Sequence, residues 1–234
     1  MQVRVLLVIS ALLMSSSILA AGTESDPIIT QLKFDQVERR STEGDDLNVI
    51  EGEAWIGKDI NKLRLKLETE FTDDETESLE TQLVYSHAIS PFWDIQAGYR
   101  RDIYPKPELD WLVFGFIGLA PYLFEIDAAL FIGESGQYGA RLEAEYELML
   151  TQKWVLIPEI ELNAYAEDDE AVGIGSGISD LELGLRLNYF INRQLAPYIG
   201  INWEKKFGDS ADFARDEGED TDDVQYVIGI SGWF

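Results

Sequence analysis

The sequence predicts an all-β fold, an antiparallel transmembrane β-barrel of about 12 strands. Three observations carry this. Apolar and polar residues alternate with period two along most of the chain, where a helix would repeat every 3.6 residues. The connections alternate long and short. The chain closes on "VQYVIGISGWF", an alternating strand whose last residue is an aromatic, Phe234.

Composition narrows the class before any element is placed. The 234 residues carry 44 acidic and 18 basic side chains, a formal net charge of -26. Such a chain has nothing with which to neutralise phosphates in bulk, which excludes a nucleic-acid partner. It also lacks a basic patch for docking on anionic lipid. There is no cysteine, hence no disulfide scaffold. The N-terminus "MQVRVLLVISALLMSSSILAAGTE" places Arg4 before an apolar run from Val5 to Leu13, then small residues up to Gly22. That order is a secretory signal peptide, with cleavage expected between Ala20 and Thr23. The apolar run is too short for a membrane anchor, which needs roughly 20 residues. The expected organisation is a signal over residues 1–22, removed on export, and one barrel domain over residues 23–234.

The strands follow in order. Twelve alternating segments are expected at 30–39, 46–57, 60–71, 78–88, 92–102, 109–119, 122–133, 139–150, 153–165, 177–190, 195–207 and 224–234. Each is roughly 10 residues long, the length a tilted strand needs to cross hydrocarbon. In "NKLRLKLETEF", Leu63, Leu65, Leu67 and Phe71 share one face, and Arg64, Lys66, Glu68 and Glu70 the other. In "GARLEAEYELML", Leu142, Ala144, Tyr146 and Leu148 oppose Arg141, Glu143, Glu145, Glu147 and Met149. "KWVLIPEIELNAY" sets Trp154, Leu156, Ile160 and Leu162 against Glu159 and Glu161, and "ISDLELGLRLNYF" sets its leucines against Asp180, Glu182 and Arg186.

The connections sort by length. "RSTEGDD", "TDDETES", "IYPKPE", "IGESGQ", "EDDEAVGIGS" and "GDSADFARDEGEDTDD" are long; "KDIN", "SPF", "AP", "TQ" and "INRQ" are short. An outer-membrane barrel keeps short periplasmic turns at one end and longer loops outside, with an even strand count. Aromatics including Trp55, Phe92, Trp93, Tyr99, Trp111, Tyr122, Trp154, Tyr189, Tyr198, Trp203 and Phe234 fall mostly near segment ends, where an interfacial girdle would lie. A soluble, lipocalin-like barrel with ordinary core aromatics is the alternative. The final strand must pair with the first to close the barrel, so its terminal Phe is not a frayed tail.

On this reading the acidic residues of each strand point into the lumen: Glu125 and Asp127, Glu143 and Glu145, Glu159 and Glu161, Asp180 and Glu182. They form either a cation-attracting path with weak oxygen ligands or one half of an ion-pair plug completed by Arg64, Lys66, Arg100, Arg141, Arg186 and Lys206. The acidic loops lack the spacing of a calcium loop; they read as solvated surface, or as collectors of divalent ions beside lipopolysaccharide. His87 is the one histidine, too little for a structural transition-metal site. Its neighbour Ser86 should point to the opposite face, which speaks against a barrel lipase. "GIGSG" lacks the lysine and helix of a phosphate loop and reads as a flexible loop entering a strand.

Three stretches resemble the copper resistance protein B family of outer-membrane proteins: "YSHAISPFWDIQAGYRRD", "GLAPYLFEIDAALFIGESGQYGARLEAEYELMLTQKWVLIPEIELN" and "GIGSGISDLELGLRLNYFINRQLAPYIGINWEKKFGDSADFARDEGE", with "GWF" at the end. The resemblance implies an outer-membrane barrel in periplasmic copper handling, beside a periplasmic multicopper oxidase. Many relatives carry a Met- and His-rich segment ahead of the barrel, suited to soft Cu(I) and borderline Cu(II). Here "TESDPIITQLKFD" stands between the signal and the first strand, and Met149 and His87 are the remaining soft or imidazole groups. The expected function is copper resistance without enzymatic activity, with copper met weakly by luminal carboxylates as a handled ion. Outer-membrane lipid, lipopolysaccharide and the barrel assembly machinery are the other expected partners. A structural or general-diffusion barrel is the competing reading, and a lipid hydrolase a third.

Overall fold

The computed structural model describes residues 27–42, 46–73, 75–134 and 136–234. The expected signal peptide lies outside them, as do the loop residues at 43–45, 74 and 135. Twelve antiparallel strands close on themselves: β1 (Ile29–Ser41), β2 (Leu47–Gly57), β3 (Asn61–Phe71), β4 (Thr76–Ser90), β5 (Trp93–Tyr104), β6 (Leu109–Ala120), β7 (Phe124–Gly133), β8 (Tyr138–Tyr146), β9 (Trp154–Tyr165), β10 (Gly177–Tyr189), β11 (Leu195–Lys206) and β12 (Asp222–Trp233). Each pairs with its neighbours in sequence, and β12 returns to β1. The predicted fold class holds, and every predicted segment has its strand. A two-residue piece, Leu148–Met149, continues β8 in unchanged register. That register sets Tyr146 opposite Pro158, whose nitrogen offers no hydrogen to the ladder, and there β8 is interrupted.

Closure runs to the last residue. Lys33 faces Trp233 and Ser41 faces Tyr226 across the seam, and Phe234 exchanges both backbone hydrogen bonds with Leu32, at 2.8 and 2.9 Å. Among the described residues no strand edge is left open, the condition for a sheet in hydrocarbon. The outward face of β12 is apolar: Tyr226 is 69% exposed and Ile228 65%, with Val224, Ile230 and Phe234 beside them. Leu63, Leu65 and Leu67 of β3, and Phe114 and Phe116 of β6, extend this belt. Exposed leucine and isoleucine in such number make sense only against lipid.

Part of the expected aromatic girdle is corrected. Trp93, Tyr99, Trp154, Tyr189 and Trp203 sit on the outward face, with the Trp154 and Tyr189 rings in tilted contact at 4.8 Å between centroids. Trp111 and Tyr198 are buried in the bore, and Trp55 lines it. The reason is parity: Trp111 shares its face with buried Val113, and Tyr198 with buried Asn202. Each side-chain N–H or O–H then finds a luminal acceptor, Asp102 for Trp111 (2.9 Å), Glu38 for Tyr198 (2.8 Å) and Gln31 for Trp55 (2.8 Å).

The last long loop also departs from expectation. "GDSADFARDE" forms a helix, α1 (Gly208–Glu217), with Asp209 in its first turn and Arg215 in its last, as the macrodipole favours. Gly218, at φ 86°, ends it in a left-handed cap. Ala211, Ala214 and Ser210 are its buried face. The "GIGSG" stretch packs against that face: the Gly175 amide donates to the Ser210 hydroxyl at 2.7 Å. The Ser176 amide donates to Asp168 at 2.6 Å, which holds that loop carboxyl below its usual range.

Placing Lys at both Ile228 and Ile230 should abolish the folded, heat-modifiable barrel, each mid-depth lysine costing about 2–4 kcal/mol. A gel-shift assay of the double variant showing a normal barrel would contradict the outward face assigned to β12.

Candidate functional site: the lumen

The charges reach the lumen because of alternation, with one adjustment. In β1 the pairing shifts at Asp35–Gln36, where a bulge inserts an extra residue. Lys33 and Asp35 line the bore below it, and Gln36, Glu38 and Arg40 above it. One bulge thus turns two runs of opposite parity to the same side.

At the short-turn end a cavity of about 560 Å³ opens among the strands. Trp55, Phe190, Arg193, Gln194 and Trp233 ring its mouth, and Glu51, Glu143, Glu145 and Glu159 line its wall. Glu51 reaches into the field of Asp35, Glu143 and Glu159, carried on other strands. Four lining carboxylates, Glu51, Glu125, Glu145 and Glu147, have no ion pair or side-chain hydrogen bond among the described residues. The cavity is an anionic well.

Deeper, ion pairs cross the bore. Arg141 of β8 reaches Glu68 of β3 (3.0 Å) and Glu80 of β4 (3.0 Å). Lys66 of β3 pairs with Asp127 of β7. Arg186 of β10 donates to Glu38 of β1 (2.9 Å) and Glu159 of β9 (2.5 Å). The Glu38 side chain is wholly buried and also accepts from Arg40 Nε at 2.7 Å. Two glycines make room for this cluster. A Cβ at Gly184 would stand 2.3 Å from Arg186 Nη1, and one at Gly229 would meet Tyr198 and Glu38 within 2.7 Å. Nearer the long-loop end, Val84, Trp111, Val113 and Phe131 fill the bore, with Arg100 stacked 4.5 Å over Phe131.

Most of the predicted luminal set is brought together here. Glu125, Asp127, Glu143, Glu145 and Glu159 line the cavity. Glu161 lies above it, 3.3 Å from Arg141 Nε. Asp180 accepts from the Asn163 amide at 2.8 Å, and Glu182 is 3.0 Å from Arg40 Nη2. The two softer groups stand apart. Met149 is 73% exposed at the short-turn end, outside the cavity lining. His87 lies on the outward face of β4, its Nδ1 2.8 Å from Asn61 Oδ1, while Ser86 points inward. They do not form a nucleophile–base pair. No group of three His, Cys, Asp or Glu among the described residues converges closely enough to hold a bare metal ion. The sequence reading passed over Glu38, Arg40, Glu80 and Asp102, the most deeply paired charges. The alternation Gln36, Glu38, Arg40 within "DQVERR" carried that signal.

The comparisons with known proteins fit this geometry. The family profile described as Copper resistance protein B precursor (CopB) matches residues 28–234. The chain belongs to that family. It is similar to the copper resistance protein B of Escherichia coli, 43% identical over 181 residues, covering 77% of this chain and 61% of that protein. A copper resistance protein B homolog from Pseudomonas syringae pv. tomato is 44% identical over 77% of this chain and 62% of its own length. The chain thus spans about three fifths of these relatives. Among solved structures, the NanC porin superposes with a TM-score of 0.56 at 12% identity, covering 87% of this chain and 99% of that one. The KdgM porin gives 0.51 at 10% identity, with 88% and 99% covered. At such identities the likeness shows the fold, that of an outer-membrane porin.

Glu38→Leu should destabilise the barrel by about 3–5 kcal/mol, because it strands two buried guanidiniums. Glu145→Gln, which breaks no ion pair, should change stability little. Urea unfolding of both variants in lipid vesicles checks the contrast.

Proposed function

We propose that this protein acts in copper resistance from the outer membrane, its cavity facing the periplasm and gathering Cu(II) there as a weakly held ion. One observation carries the reading: the cavity at the short-turn end is lined by carboxylates that outnumber their cations, four of them with no ion pair. Short turns face the periplasm in outer-membrane barrels, and family membership supplies the metal. Oxygen ligands do not select Cu(I), and Met149 and His87 lie outside the cavity, so the affinity is low and suited to Cu(II). Binding of this kind raises the local copper concentration without trapping the ion. The ion pairs crossing the bore tell against an unrestricted diffusion pore. The family and the porin-like barrel support a non-enzymatic role. A periplasmic multicopper oxidase is the partner that such a cavity would serve, with lipopolysaccharide around the barrel and the assembly machinery reading its final strand.

The triple variant Glu125→Gln, Glu145→Gln, Glu147→Gln tests the reading. Each unit charge within ~10 Å contributes about 1–2 kcal/mol at an effective dielectric near ~20. Cu(II) binding should weaken at least tenfold by that arithmetic, and copper tolerance should fall while the barrel still folds. Unchanged tolerance in a correctly assembled variant overturns it. Orientation has its own check. Tags near Asp168 and Asp220 should be labelled on intact cells, and tags near Asn61, Thr151 and Asn192 should not.

A further inference from the structure

We propose that a ladder of carboxylates running from the cavity to the long-loop rim binds divalent cations with their water shells intact. The proposal deepens the copper reading and rests on it only for the identity of the natural cargo.

The sheet register builds the ladder. Asp127 on β7 lies directly opposite Glu143 on β8, Glu143 opposite Glu161 on β9, and Glu161 opposite Glu182 on β10. Glu182 then faces Glu204 on β11, and Glu204 faces Asp223 on β12. Six adjacent strands each place a carboxylate on one rung. Because barrel strands tilt, a row that follows the hydrogen bonds climbs the wall. It starts in the cavity, which Asp127 and Glu143 line, and ends at Asp223, the second residue of β12 beside the last long loop. Like charges directly opposite one another destabilise a sheet. A six-rung run of them is a standing cost that packing does not explain.

A second ladder in the same barrel shows the difference. Glu51, Glu68, Glu80 and Asp102 are also opposite one another on β2 to β5. There Arg141 pairs with Glu68 and Glu80, and Arg100 pairs with Glu80 and Asp102, all at 2.7–3.0 Å. Three of its four rungs, Glu68, Glu80 and Asp102, are thus held by two arginines, and Glu51 is left to the cavity. The first ladder is held less fully. Its lower rungs share Lys66, Arg141 and Arg40, whereas Glu204 and Asp223 have no ion pair among the described residues. Glu70 and Asp180 add to the negative field around Glu204.

A buried amide marks the same place. Asn202 is fully buried on the inward face of β11, two residues below Glu204 and opposite Gly184, itself two residues from Glu182. Its nitrogen donates to Gln225 Oε1 at 3.2 Å, and its carbonyl oxygen has no partner. An orphaned acceptor beside surplus carboxylates calls for a ligand that is positive and carries hydrogen-bond donors. A hydrated cation is both. Since no three carboxylates among the described residues converge to hold a bare ion, the contacts pass through water, with about 4 Å from metal to carboxylate oxygen. Multiple weak sites in series also suit movement along the wall.

Hexaamminecobalt(III) is the probe, because its ammine shell does not exchange and it binds only through outer contacts. The full-length folded protein in detergent should bind it, and it should compete with Cu(II) at the ladder. Glu204→Gln and Asn202→Leu should each weaken cobalt-complex binding by about fivefold, the net worth of one ordinary hydrogen bond. The cavity triple variant should keep this upper-rung binding. Failure of the cobalt complex to bind, or binding by the folded ladder variants as tight as by the unsubstituted protein, overturns the proposal. Loss of copper tolerance in the cavity variant alone would leave the copper reading standing without the ladder.

Discussion

Closure of β12 onto β1 is the constraint on which everything else depends. A strand in hydrocarbon has no water to satisfy its amides, so Leu32 must find Phe234 and Ser41 must find Tyr226. Once the sheet is a cylinder, period-two alternation leaves no choice about the interior. Every residue opposite a lipid-facing leucine points into the bore, and in this chain the charged ones among them are mostly acidic. The lumen is therefore a consequence of the seam.

A bore full of carboxylates needs cations, and too few are present to pair one to one. The arginines are shared: Arg141 serves Glu68, Glu80 and Glu161, and Arg40 serves Glu38, Glu70 and Glu182. A guanidinium has five donors in a planar fork, so it can bridge several acceptors where lysine could serve as a point charge only. Removing one partner of such a network is costly, because the remaining charge stays buried. This is why Glu38, closed in by Arg40, Arg186 and Tyr198, holds the bore together mechanically. Glu145, with no partner, leaves only a field.

The alternation made the barrel legible in the sequence. Leu63 against Arg64, Leu142 against Arg141 and Leu185 against Arg186 assign lumen and lipid with no reference to tertiary contacts, and each pair faces as expected. What escaped was anything that alternation does not encode. Trp111 and Tyr198 look like girdle residues because they are aromatic and near strand ends, but parity turns them inward to Asp102 and Glu38. The bulge at Asp35–Gln36 breaks the simple count in β1, so Glu38 and Arg40 were not placed. The helix Gly208–Glu217 hid within an acidic stretch because its buried face is made of small residues, Ser210, Ala211 and Ala214. The inward carboxylates were readable one strand at a time, whereas their alignment across strands depends on register, which is fixed by pairing and turn geometry.

Register also decides what kind of copper chemistry this barrel supports on the proposed reading. Had Met149 and His87 fallen on the rows that hold Glu145 and Glu161, the lumen would present mixed soft and hard ligands. Instead Met149 sits exposed at the short-turn end and His87 hydrogen-bonds Asn61 on the outer face. What remains inside is oxygen, arranged as charge density more than as a coordination sphere. Such a surface attracts a cation through its field and releases it readily, because no single site repays the cost of stripping its water. The excess of acid over base, expensive for the fold, is the one property of this lumen that a plug of matched ion pairs would not need.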